Sequence, residues 1–188
     1  MDAPLLYKPH PSLFPVALLG GFTGTVLLTA LLRLAAALGA PVIDLPQLIG
    51  SVFSRDPATV FGAGHAVFVV LGVFVLPLAL ALLWPLTPGN RFTFRGALVK
   101  GALFGLVLFV LAGILLPLLG LLSTLPDVGF ADPGPFALGL GLSGIAQLLL
   151  GTQLYSLTAA LVAAMPRGLQ PLDAIGWAWW SHGSGESP

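Results

Sequence analysis

Apolar residues along this chain do not alternate with polar ones. They come in four long blocks, near 14–39, 58–86, 96–122 and 136–165, separated by short polar or proline-rich connections. A helix needs about 20 apolar residues to cross a bilayer, and each block reaches that length. The pattern predicts an all-α integral membrane protein, a single membrane domain built as a bundle of four transmembrane helices. Prolines mark the boundaries. Pro-His-Pro-Ser-Leu-Phe-Pro admits no helix before the first block and leaves Pro15 at a first-turn position. Gly39-Ala40-Pro41 ends that block, and Asp56-Pro57 gives the second an acidic cap and a first-turn proline. Pro77 lies inside the second block and should kink it, while Pro117 falls near the end of the third. Residues 41–56 are half apolar and too short to cross, so they read as an interfacial segment lying along the membrane surface. The loop 123–135 is irregular, and the Gly/Ser-rich tail 181–188 reads as disordered.

Composition turns that pattern into a choice of solvent. Of the 188 residues, 57% are hydrophobic and only 7% charged, against about 25% charged in soluble domains. Such a surface is matched to lipid. The first block extends from about Leu13 to Ala40, well beyond the roughly 7–15 residues of a signal-peptide core, and reads as a retained span. Seven Lys and Arg balance seven Asp and Glu, leaving no basic surplus for a phosphate backbone, so nucleic acid is not an expected partner. With no cysteine, thiolate metal sites, iron–sulfur ligation and a cysteine nucleophile are excluded.

Four spans put both termini on one side. Lys8, Arg91, Arg95, Lys100 and Arg167 then fall on the terminal side, and Arg33 and Arg55 on or near the other. By the positive-inside bias the termini and the 87–95 loop are expected in the cytoplasm, with the protein in the bacterial cytoplasmic (inner) membrane. Trp177, Trp179 and Trp180 suit the headgroup region.

Lipid tails give helices no hydrophobic reason to associate, so close contact depends on small residues. Gly20 and Gly24 on the first span, Gly101 and Gly105 on the third, and Gly144 on the fourth present such faces. They serve either internal bundle packing or a partner subunit. Gln147 and Gln153, near the middle of the fourth span, must find partners at that depth, inside the chain or across a subunit boundary.

Arg33 and His65 are the ionisable groups that lie within spans in one leaflet. Arg33, about six residues or roughly 9 Å from the outer end of its helix, either snorkels to the headgroups or pairs with Asp44 or Asp56. His65 is either a neutral imidazole hydrogen-bonded within the bundle, or a cofactor-binding residue for haem, a metal or a quinone, or a proton relay. His10 and His182 lie in the terminal segments, on the opposite side from His65, so the chain offers no second histidine for a self-contained bis-histidine haem. Any haem or quinone would be shared with a partner subunit; none is expected from the chain alone. No catalytic constellation and no zinc-binding H-E-x-x-H pattern is present.

Gly20-Gly21-Phe22-Thr23-Gly24-Thr25, Asp44-Leu45-Pro46 with Gly50, Gly62-Ala63-Gly64-His65 and Arg95-Gly96 together resemble a family of small uncharacterised four-helix bacterial membrane proteins, over roughly residues 15–165. The resemblance implies no established activity or catalytic residue. It carries an association with respiratory oxidase genes. On these grounds the chain is expected to be a non-catalytic accessory or scaffolding subunit of a larger membrane complex, such as a cytochrome oxidase, with integral membrane subunits and lipids as partners. A haem- or quinone-binding electron-transfer subunit using His65, with Arg33 nearby as a second cofactor-binding residue, and a small autonomous transporter or channel, are the alternatives.

Overall fold

A computed structural model describes residues 13–40, 43–87, 93–123 and 133–165. His10, His182, the three tail tryptophans, the tail 181–188 and residues 124–132 lie outside it. The described residues form helices and no strand: α1 (Leu13–Ala37), α2 (Leu45–Ser51), α3 (Pro57–Val70), a π turn (Leu71–Val75), α4 (Leu76–Leu83), α5 (Phe94–Leu122), a 3-10 turn (Pro135–Leu140) and α6 (Gly141–Ala164). Four stretches are long and apolar enough to cross a membrane: Phe14–Ala37, Pro57–Leu83, Phe94–Leu122 and Pro135–Ala164.

Local chemistry sets most of the helix ends. The Asp44 carboxylate accepts from the Gln47 N–H at 3.0 Å, and the Asp56 carboxylate accepts from the Thr59 N–H at 2.9 Å. Thr93 does the same for the Gly96 N–H at 3.0 Å. Each satisfies a first-turn donor that the helix cannot, and a proline near the start of α2 and α3 removes another. Beyond α1, Gly39 adopts φ +78°, the left-handed geometry that stops a helix.

Pro77 interrupts the second span through a π turn. The Leu76 N–H donates to the Leu71 carbonyl, five residues back. Continuing that register would require an N–H from Pro77, which has none, so the Gly72 carbonyl is left open. The fourth span also departs from the pattern that placed its start at 136. It opens as a tight turn in which Phe136 (φ 52°) and Ala137 (φ 59°) are left-handed, and becomes α-helical only at Gly141. Left-handed geometry costs a non-glycine residue about 1–2 kcal/mol. Packing offsets that cost: Ala137 is fully buried, and the Phe136 ring lies where a Gly113 side chain would be and 5.3 Å from the Phe109 ring.

The central element is α6, with α1 against one face and α5 against another. The π turn and α4 lie on α1, whereas α3 packs chiefly on α2. One core joins Ala17, Leu80, Trp84, Phe104, Tyr155 and Ala159; a second joins Ile43 and Leu48, around α2, to Leu116, Ala137 and Leu148. The 41–56 segment thus contains a helix with one face, Leu48, Gly50 and Ser51, buried against its neighbours.

Candidate functional site

Glycines show how closely these helices approach. A Cβ on Gly20 would lie 2.7 Å from the Ala159 carbonyl oxygen, and one on Gly24 would lie 2.9 Å from Tyr155. Both seat α1 on α6. Gly101 meets the α6 backbone at Leu157 and Ser156, and Gly105 accommodates the Gln153 amide. That amide donates to the Ala102 carbonyl across a long 3.4 Å, so Gln153 links α6 to α5. Gly144 faces Ala137 and Leu140 of its own preceding turn. Gly20, Gly24, Gly101, Gly105 and Gly144 thus each face a neighbour within the chain, whereas Gly141, at the start of α6, meets open space.

The opened carbonyl of Gly72 is answered from α6. The Tyr155 hydroxyl donates to it at 2.7 Å across 83 residues of sequence, and Gly21 on α1 lies so close that a side chain there would overlap Gly72 and Pro77. Thr25, whose hydroxyl donates to the Gly21 carbonyl at 2.8 Å, covers Gly72. Glycine on α1, proline and a π turn on the second span, and a tyrosine on α6 therefore form one clasp at mid-span.

A second lock holds the end of α4. Lys100, 1% exposed on α5, donates to the Trp84 carbonyl at 2.9 Å and to the Thr87 carbonyl and hydroxyl, with its Nζ 5.5 Å from the centre of the Trp84 ring. A cation placed on unsatisfied C-terminal carbonyls neutralises both their hydrogen-bond demand and the helix dipole. Sequence reasoning treated Lys100 only as an orienting charge. A lysine inside the early turns of a long apolar helix, where a charge needs a partner, was the signal for its role.

Farther along the second span, α3 stands apart. It is held by α2: side chains on Gly50 or Gly64 would overlap the backbone of Val60 or Pro46. Its other side exposes Ala58, Phe61, Gly62 and Ala66, and apart from its chain neighbours and its own helix backbone no described heavy atom lies within 4 Å of where a Gly62 Cβ would sit. His65 is half-buried beside this face, stacked obliquely on Phe61 at 4.1 Å between ring centres, with Nδ1 2.8 Å from the Phe61 carbonyl oxygen. Because a carbonyl only accepts, Nδ1 carries the proton and donates, leaving the Nε2 lone pair for a ligand or donor. Arg33 is exposed on α1. No hydrogen bond, ion pair or ring contact joins it to His65, Asp44 or Asp56 among the described residues. Nor does any group of three or more His, Asp or Glu able to hold a metal occur among them.

Between these regions lies a half-open cavity of about 290 Å³. All four spans and α2 line it, with Leu28, Ile49, Leu71, Leu111, Leu148 and Gln147 in its wall. Neither Arg33 nor His65 lines it.

No protein-family model, curated protein or solved structure matches the chain.

Proposed function

We propose that this chain is a non-catalytic accessory subunit of a larger membrane complex, and that the exposed face of α3 is where it docks. The observation that carries this is Gly62. In a bilayer a helical glycine is useful when another backbone comes close, and Gly20, Gly24 and Gly101 each have such a neighbour within the chain, while Gly105 admits the Gln153 side chain. Gly62, between Ala58 and Ala66 at four-residue spacing, has the same character and an open approach. The partner is a transmembrane helix of another integral membrane subunit. The sequence resemblance makes a respiratory electron-transfer complex the first place to look.

Extraction of the chain from its own membrane in mild detergent tests this. The expected result is an assembly much heavier than the 19.4 kDa chain, which Gly62→Leu reduces to the free chain without unfolding it. A native chain that runs as a monomer would overturn the proposal.

One observation favours a second reading, a haem or quinone shared with that partner. His65 holds its Nδ1 proton on a backbone carbonyl, as ligating histidines do, and it lies beside the exposed face of α3. A visible haem spectrum in the assembly, lost in His65→Ala, would support it; a colourless assembly would remove the haem version.

A further inference from the structure

We infer that the mid-span cavity holds one acyl chain of a bilayer phospholipid, admitted sideways between the π turn and α5. Its size limits the occupant. At about 290 Å³ it is roughly twice the 150 Å³ cavity that accepts a six-carbon benzene, which gives room for about 12 chain carbons. That is most of one acyl chain, and too little for a haem or a long polyprenyl tail.

The wall excludes a headgroup. The hydroxyls in the wall are committed to backbone carbonyls: Thr25 donates to Gly21 at 2.8 Å, Thr152 to Leu149 at 3.0 Å and Tyr155 to Gly72 at 2.7 Å. What they leave facing the cavity is hydrocarbon. A quinone ring or phosphate would be desolvated there with little compensation. Access is lateral. Leu71, Leu111 and Leu115 belong to the wall and are also 38%, 49% and 51% exposed, at the depth where the surrounding solvent is acyl chains. From the other direction Ile43, Leu45 and Ile49, on and just before α2, cover the cavity. The clasp at Gly72 and Tyr155 lies in its wall, so a chain seated there packs against the atoms that hold the second span.

Native mass spectrometry of the full chain tests the inference. The chain is purified in mild detergent and given palmitoyl-oleoyl phosphatidylethanolamine, with solanesol as a competing polyprenyl probe. One phospholipid per chain should survive activation that strips the remainder. Ala112→Phe, filling the wall, and Leu115→Trp, at the half-exposed entrance where no core is disturbed, should each lower the retained fraction about tenfold with helical content unchanged. The inference is overturned if wild type retains no phospholipid, if both variants retain it equally, or if solanesol displaces it at equal concentration. These readings come from the isolated chain and are independent of the assembly mass that tests the α3 face.

Discussion

The two halves of the second span are both apolar, yet they meet opposite surroundings. On the α4 side of the π turn, Pro77, Leu80, Ala81 and Trp84 are buried, α1 lies against them, and Lys100 ties down the last carbonyls. On the α3 side only Val60 and Gly64 are buried, and both by the short helix α2. Apolarity alone does not say which half faces lipid and which a helix, because both surroundings are apolar. What separates them is where backbone can approach backbone and where a polar group needs a partner. The bundle closes tightly at the α4 end, and at the other end leaves a cavity and an open helix face.

The largest expected effect breaks the closed end. Lys100→Met removes a buried cation from three oxygens and should lower stability by about 3 kcal/mol, read by reversible unfolding in mixed micelles. A loss below about 1 kcal/mol would mean that water and headgroups satisfy those carbonyls equally well.

A single substitution placed in the two regions sharpens the contrast. Gly21→Ala inserts a methyl where Pro77 and the Gly72 carbonyl already lie and should cost about 2 kcal/mol. Gly62→Ala inserts the same methyl into open space and should leave the isolated chain at or above its original stability. Equal losses at both positions would erase the distinction.

The smallest effect concerns the entry to α3. Hydrogen bonds from the Thr59 hydroxyl and N–H hold the exposed Asp56 carboxyl below its usual value of 3.8. A depressed value means that the cap contributes above the ordinary carboxylate range and is lost as pH falls through the folded value. The Thr59 amide resonance should therefore titrate with a midpoint below 3.8, and lose that titration in Asp56→Asn.

What the sequence made legible was local or a matter of length. Span positions follow from apolar length, and the Asp44 and Asp56 caps from an acid followed by proline. Glycine faces were visible as faces, but not their neighbours, since Gly20 and Ala159 are far apart in the chain. Pro77 announced an interruption without its form, which depends on Tyr155 reaching Gly72. Nothing in Phe136-Ala137 favours left-handed backbone; Gly113 and the surrounding core impose it. Of the site residues, His65 and Arg33 were conspicuous for their charge chemistry, yet both lie away from the cavity, whose wall is made of ordinary leucines and small residues that carry no motif.

A photoreactive amino acid placed at position 62, and separately at the exposed position of Leu118 on α5, in native membranes asks directly what covers α3. The account predicts a discrete adduct with one integral membrane protein from position 62, and lipid adducts alone from position 118. Lipid adducts alone from both positions would contradict it.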